Sequence, residues 1–266
     1  MNSDFRFLAL VYLVLVSAFN AHRADAGVVL EGGGATFPYS LYTKWFAAFS
    51  EIDKGVDFDY QRVGSGEGQR LITNQLLDFG ASDAPMSSEA LANAPGKILH
   101  IPTVGGADVI IFNLHNVQEL QLDGPTLAAI YLGKITQWKN PAIVQQNPGI
   151  KLPDEPITVV HRSDGSGTSY IFTDYLRTVS SEWQLKVGRI SMVNAPGADS
   201  YPIAGVTWIL VYEHPQDALK AKELVAFLTW AETEGQKMAR ELNFAPLPEN
   251  VQSKVLAQIR LISSGG

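Results

Sequence analysis

The stretch HRSDGSGTSY, residues 161–170, constrains the fold of this sequence more than any other. A run rich in β-branched residues, 157–160, precedes it, and a helical pattern begins at Tyr170, which predicts a strand, a glycine-rich turn and a helix. Glycines allow a sharp turn and close approach of the backbone to a ligand. The first N–H groups of the helix lack intrahelical partners and lie at the positive end of its dipole. Together with the permanently charged Arg162, the stretch predicts an anion site.

A simpler interpretation of the same stretch stays open at this point. Asp164 or Ser166 can serve as an ordinary helix cap. Arg162 is then a surface residue, and His161 is a residue at the end of a strand. This stretch alone does not distinguish an anion site from an ordinary helix cap, so the other stretches of the chain are needed.

Residues 1–26 have the pattern of a secretory signal. Arg6 precedes an apolar run at 7–19, and Ala24-Asp25-Ala26 fits a small-x-small cleavage site. The alternative is an uncleaved membrane anchor, but the run is too short to cross a bilayer comfortably. We therefore expect a periplasmic or secreted protein whose remaining residues suffice for two modest lobes.

The charge and the cysteine count exclude several classes of function. The formal net charge is −7 and no basic stripe is present, so nucleic acid is not an expected partner. A small anion remains possible, because the net charge is screened over roughly 10 Å at ordinary salt. The sequence has no cysteine, which excludes disulfides and thiolate metal sites. No metal or cofactor is expected.

Two further glycine loops precede predicted helices. The first, Gly32-Gly33-Gly34, lies before a helix that starts near Pro38. The second, GSGEG at residues 64–68, follows an alternating strand at 56–61 and lacks the spacing of a nucleotide-binding loop. The first loop is a further possible anion contact, which is weak evidence when taken alone, and the second loop could be only a flexible connector.

Asp83 follows a short buried strand predicted at residues 77–81. Open α/β sheets place ligand-contacting groups at the carboxyl ends of their strands. The alternative is that Asp83 caps the next helix, a task that Ser87 or Ser88 could share.

The rest of the chain alternates between strand and helix patterns, which predicts the α/β class. Strands are predicted at residues 98–102, 107–112 and 206–212. Helices are predicted at residues 125–132, 218–230 and 249–259.

Four stretches together resemble the periplasmic phosphate-binding proteins of ABC-type phosphate importers. They are GATFP at 34–38, GSG at 64–66, GASDAP at 80–85 and RSDGSGTS at 162–169. The resemblance implies a type II periplasmic-binding-protein fold of two α/β lobes joined by crossing strands, with phosphate between the lobes. It implies that the first lobe comprises residues 27–103 and 201–262, and the second lobe residues 104–200.

The same resemblance implies the residues of the site and the partners of the protein. Asp164 would orient Arg162, and membrane permease subunits would receive the phosphate. The implied phosphate contacts are Thr36, Phe37, Ser65, Asp83, Arg162, Ser166, Gly167 and Thr168.

The sequence departs from the family pattern at one place. Family members carry several tens of further residues between the counterparts of Val187 and Ile190, so we expect a truncated second lobe. Two alternatives to a binding protein stay open. One is a phosphate-ester hydrolase using Ser166 or Ser65, against which stands the absence of any nucleophile–base motif. The other is a truncated remnant that no longer binds phosphate.

Overall fold

A five-stranded mixed β-sheet organises the described part of the chain. The computed structural model describes residues 27–187 and 201–263. The strand order in the sheet is β2-β1-β3-β5-β4. β1 pairs in parallel with β2 and β3, whereas β5 pairs antiparallel with β3 and β4. The strands are β1 Val28–Gly34, β2 Val56–Gln61, β3 Phe79–Ser82, β4 Ile98–Ala107 and β5 Ala204–Tyr212.

Helices connect the strands and fill the interval between β4 and β5. Their bounds are α1 Tyr39–Ile52, α2 Ser65–Thr73, α3 Ser88–Asn93, α4 Gly124–Tyr131, α5 Pro141–Gln146, α6 Gly167–Val179, α7 Ser181–Val187, α8 Ala218–Ala231 and α9 Glu249–Ile259. Two 3₁₀ turns, Gly235–Met238 and Arg240–Leu242, follow α8. The helices predicted at 125–132, 218–230 and 249–259 are present within a residue of their predicted bounds.

The main core lies between the sheet and the helices α1, α8 and α9. The inward face of α1 carries Tyr42, Trp45, Phe46 and Phe49 at helical spacing, and all four are buried. The ring of Phe46 stacks on Phe58 of β2 with centroids 4.4 Å apart. Burying an aromatic side chain of this kind contributes on the order of 2 kcal/mol, so α1 is fixed firmly on the sheet.

The longest strand pair, β4 with β5, leads out of this core. Its register runs from Ile98 opposite Tyr212 to Ala107 opposite Ala204, and the Asp108 N–H donates to the carbonyl of Ile203 at 2.8 Å. One of the strand predictions is wrong here, because β4 continues to residue 107 while residues 108–112 form no strand. The lobe boundary that the resemblance implied between residues 103 and 104 falls within β4, and the division into lobes remains a prediction.

Residues 108–187, which we call the helical region, have a different architecture from the sheet region of 27–107 and 204–263. Two smaller apolar clusters hold it together, one around Leu176 of α6 and one around Ile143 of α5. Within 108–187 the only β-pairing is an isolated bridge between Gln137 and Pro156. The strand predicted at 157–160 is therefore wrong. A strand is stable only beside a partner strand. The Ile157 N–H donates to the carbonyl of Thr136 at 2.9 Å, but the pairing does not continue along residues 158–160.

The structure can be compared with the predicted signal and with the alternative of a membrane anchor only in part. None of the helices in 27–187 and 201–263 is long and apolar enough to cross a bilayer. The predicted signal at residues 1–26 lies outside the described residues.

Candidate functional site: a polar cluster between the two regions

The N-terminus of α6 forms one side of the site. Ser166 is the N-cap, and its Oγ accepts a hydrogen bond from the Ser169 N–H at 3.2 Å. Gly167 comes next and is packed tightly, because a Cβ at this position would lie 2.4 Å from Ser65 Oγ and 2.6 Å from Asp83 Cβ. Only glycine fits there without displacing its neighbours. The start of α6 is thereby pressed against two residues of the sheet region.

Arg162 joins the helical region to the first loop of the sheet region. Its Nε donates to Asp164 Oδ1 at 2.6 Å and its Nη2 donates to Asp164 Oδ2. Its Nη1 donates to the hydroxyl of Thr36 at 3.3 Å. The hydrogen bonds from Arg162 hold the pKa of the Asp164 carboxyl below its usual range. Asp164 therefore orients the guanidinium toward the loop before α1 and does not cap α6.

Asp83 is the buried acceptor of the site, with only 2% of its surface exposed. Thr207 Oγ1 donates to Oδ1 at 2.6 Å, and Ser65 Oγ donates to Oδ2 at 3.3 Å. Burial raises the pKa of Asp83 to about 6, although Thr207, Ser65 and the charge of Arg162 act in the opposite direction. The helix-cap interpretation of Asp83 is wrong, because Ser87 caps α3.

The remaining predicted residues lie in the same neighbourhood. Thr36 and Phe37 form the loop between β1 and α1, and the ring of Phe37 meets Phe244 edge-on at 5.5 Å. Thr168 lies in the first turn of α6, directly after Gly167. The structure thus brings together all eight residues that the sequence singled out, four from each region.

A backbone contact fixes the two glycine loops against each other. The Gly66 N–H donates to the carbonyl of Gly165 at 2.7 Å. Gly64, which precedes α2, has a φ of 88°, a left-handed conformation that favours glycine. The sequence left open whether the loop at residues 64–68 is only a connector, and its contact with Gly165 shows that it is not.

Thr207 is the residue of the site that the sequence analysis missed. It is fully buried on β5, and its hydroxyl is the closest partner of Asp83. The available signal was weak: one polar residue within the apolar run at 206–212.

The chemistry of this arrangement suits the binding of an oxyanion. The free N–H groups at the start of α6, the guanidinium and several hydroxyls are donors, while the ionised Asp83 only accepts. No serine of the described chain has a histidine within hydrogen-bond reach at this site, since His161 Nδ1 instead contacts the carbonyl of Arg162 at 2.8 Å. Within the described residues no cluster of three or more His, Asp or Glu side chains could hold a metal ion.

The sequence matches a known class of binding proteins. A family model described as a PBP superfamily domain matches residues 21–188. The phosphate-binding protein PstS of Pasteurella multocida is 32% identical, with 94% of each chain covered. PstS of Haemophilus influenzae is 30% identical, over 86% of this chain and 92% of its own. This chain therefore belongs to the PBP superfamily and, within it, to the family of the phosphate-binding protein PstS.

Solved structures confirm the predicted α/β binding-protein fold. A phosphate-binding protein from Stenotrophomonas maltophilia superposes with a TM-score of 0.69 at 18% identity, covering 87% of this chain and 94% of its own. A putative phosphate ABC transporter substrate-binding protein from Clostridium perfringens, solved with bound phosphate, has a TM-score of 0.61 at 17% identity, covering 83% of this chain and 100% of its own.

The comparison also agrees with a shortened second lobe. The alignment with the Pasteurella protein extends over 330 positions, more than the 266 residues of this chain. That relative therefore carries residues that have no counterpart here. The family-model match ends at residue 188, which is where the sequence analysis placed the junction.

Proposed function

We propose that this protein captures inorganic phosphate between its sheet region and its helical region and delivers it to the permease subunits of an ABC importer. The observation that carries the proposal is the meeting of donors from both regions around one acceptor. Arg162 reaches Thr36 at 3.3 Å, and Gly167 packs against Ser65 and Asp83. Similarity to PstS proteins supports phosphate as the ligand.

The proposed contacts divide the work between the two regions. Thr36, Phe37 and Ser65 bind from the sheet side, while Arg162, Ser166, Gly167 and Thr168 bind from the start of α6. The roles assigned to these residues rest on the family motif and on their meeting in one place. Export from the cytoplasm, with removal of residues 1–26, completes the proposal.

Asp83 gives the site a means of choosing phosphate over sulfate. Donors alone cannot distinguish two tetrahedral oxyanions, but near neutral pH phosphate still carries a proton that it can donate to the ionised Asp83 carboxylate. Sulfate has no proton to donate and would face a buried negative oxygen. The resulting repulsion discriminates against sulfate rather than improving the fit of phosphate.

Catalysis is not part of the proposal. Ser65 donates to Asp83, and Thr207 donates to the same carboxylate, which suits an acceptor for a protonated ligand. Ser166 is engaged as the cap of α6. Both serines have structural partners that suit a binding role.

Titration calorimetry of the purified protein tests the proposal. We expect saturable binding of phosphate with one site per chain, and no measurable binding of sulfate at the same ionic strength and neutral pH. A chain that binds neither anion would be the non-binding remnant, and the proposal would be wrong. Release of phosphate from a phosphate ester by the protein would instead favour the hydrolase.

A further inference from the structure

Asp108 is an acidic residue beside the anion site to which the proposed function gives no role. Its N–H donates to the carbonyl of Ile203 at 2.8 Å, and its carbonyl accepts from the Tyr201 hydroxyl at 3.0 Å. Its side chain is partly buried. Among the described residues, nothing forms a hydrogen bond or ion pair with its carboxylate. The backbone of Asp108 is therefore fixed while its charged group has no partner.

The strand register shows which face of the β4–β5 pair carries the anion site. Residues two apart on a strand share a face, as do residues directly opposite each other in an antiparallel pair. Thr207 of β5 points toward Asp83, which accepts its hydrogen bond. Gly205, two residues earlier, faces Ile171 of α6, because a Cβ there would lie 2.3 Å from Ile171 Cδ1. This face is therefore the one turned toward Asp83 and α6.

Asp108 continues the same row of residues. Gly106 is opposite Gly205, and a Cβ on Gly106 would lie 2.4 Å from the ring of Phe37. Asp108 follows two residues later, and its bond to Ile203 keeps the antiparallel register. Its side chain therefore projects from the face that also holds Phe37 and Asp83.

The charges around the site are unbalanced. The negative charge of Asp108 acts on Asp83 and raises the pKa of that carboxyl, while Arg162 lowers it. Arg162 is already paired with Asp164, so the carboxylates of Asp83, Asp108 and Asp164 outnumber the one guanidinium near Asp83. Burial raises the pKa of Asp108 itself to about 6. The neighbouring Tyr131 of α4 and Tyr201, before β5, add no positive charge.

We propose that Asp108 is a second selectivity residue of the anion site, one that favours an oxyanion carrying two protons over the same oxyanion carrying one. Dihydrogen phosphate can donate one proton to Asp83 and interact with Asp108 through the other. Monohydrogen phosphate has a single proton, so one carboxylate would face it unpaired and repel it. This inference rests on the proposed function. It adds which protonation state of phosphate the site prefers.

The test compares the pH dependence of phosphate affinity in the natural chain and in Asp108→Asn. Asparagine keeps the size of the side chain and removes the charge. Calorimetric titrations run from about pH 5, where Asp83 and Asp108 are largely neutral, to about pH 8, where both are ionised. At the upper end we expect Asp108→Asn to bind phosphate about tenfold more tightly than the natural chain, and at the lower end the two should agree within about threefold.

Asp57→Asn is the matched control. It makes the same change of charge on β2, an exposed position at the opposite end of the sheet order from β4. Its pH profile should follow that of the natural chain. If the profile of Asp108→Asn also follows the natural chain, Asp108 is not a selectivity residue and the inference is wrong.

The same data separate this inference from the proposed function. Binding of phosphate by the natural chain, with an unchanged profile in Asp108→Asn, overturns the inference alone. Absence of phosphate binding at every pH in the natural chain overturns both. Thermal melting of Asp108→Asn at the midpoint of the natural chain, within about 2 °C, verifies that the variant is folded. If its midpoint differs by more, Asp108→Ser repeats the titrations, and a profile like that of the natural chain overturns the inference.

Discussion

Two apolar, β-branched runs of this chain, 206–212 and 157–160, have different structures. The first lies within β5, between β3 and β4, and Ile209, Leu210 and Val211 are fully buried. The second forms no strand, and Val160 is 80% exposed. Propensity for extended structure is similar in both runs, so the difference comes from the presence of partner strands. A sequence pattern predicts a strand only when the rest of the chain supplies the edges beside it.

The same comparison applies to the two regions as wholes. The sheet region has one large cluster rich in aromatic side chains and one smaller cluster, whereas the helical region has two smaller clusters and no large one. In the helical region Val109 and Ile111 are 63% and 87% exposed. These side chains occupy the segment that the sequence predicted as a strand. We infer that the residues missing relative to other family members would cover this segment, and that the helical region is the less stable of the two.

The largest expected effect concerns the core of the sheet region. Phe227 is fully buried on α8, with its ring 4.7 Å from Phe58 and 5.4 Å from Phe46. Phe227→Ala should lower the free energy of unfolding by about 3–5 kcal/mol, because it leaves a cavity that the sheet cannot fill. Unfolding by denaturant, monitored by circular dichroism, measures this loss of free energy. A loss below about 1 kcal/mol would show that the core is not tightly packed.

A buried acid in the same core gives a pH-dependent effect. Glu232 is fully buried, its Oε1 has no hydrogen-bond partner, and burial raises its pKa to about 9. The folded state therefore holds this proton more tightly than the unfolded state. The resulting stability is complete below about pH 4.5 and is lost as the pH rises toward about 9.

Glu232→Gln removes this titration. At neutral pH we expect the variant to be more stable than the natural chain by about 3 kcal/mol, with the difference shrinking as the pH falls toward about 4.5. Unfolding titrations of both chains at several pH values measure the difference. A difference that does not change with pH would contradict a buried, neutral Glu232.

Arg162 tests whether the two regions share one ligand. Arg162→Ala should weaken phosphate binding about ten- to a hundredfold, the loss of one charge-assisted contact worth on the order of 1.5–3 kcal/mol. Arg162→Lys should recover only part of the affinity, because lysine lacks the planar fork. Calorimetry measures both. Equal affinity in the natural chain and Arg162→Ala would make this arginine a surface residue.

Asp83 tests the choice between anions. In Asp83→Asn the ratio of phosphate to sulfate affinity should fall sharply, because the amide can donate to sulfate where the carboxylate repels it. In the natural chain, discrimination against sulfate should weaken below about pH 6, where Asp83 takes up a proton. Competitive titration of both anions at fixed ionic strength gives the ratio. An unchanged ratio in Asp83→Asn would remove the basis for selectivity.

The smallest effect on folding is expected at the exposed segment of the helical region. Ile111→Lys should change the free energy of unfolding by no more than about 0.5 kcal/mol, because the side chain is already in solvent. It should nevertheless reduce self-association, since an uncovered apolar edge invites contact with other chains. Sedimentation at several concentrations measures association. A natural chain that stays monomeric and melts in one sharp transition would contradict a weakened second lobe.

The periodicity of apolar residues predicted the helices and strands of the sheet region well, because the residues that the periodicity marks as buried are the ones that pack in the core. The helical spacing of Tyr42, Trp45 and Phe49 placed α1, and β5 followed from an unbroken apolar run. The proposed contact residues came from the family resemblance, whose four motifs are short and continuous in the sequence. Thr207 and Asp108 were not predicted, because each is a single polar residue beside apolar neighbours, and only the strand register brings them to Asp83.

One measurement tests the central claim that phosphate binds to both regions at once. Thermal unfolding is followed by near-ultraviolet circular dichroism in the presence of phosphate or sulfate at equal ionic strength. Phosphate at about a hundred times its Kd should stabilise the folded chain by about 2.7 kcal/mol, raise the transition of the helical region and merge it with that of the sheet region. Sulfate should do neither. The helical region could instead unfold at the same temperature in phosphate as in sulfate. In that case phosphate does not join the two regions, and the central claim is wrong.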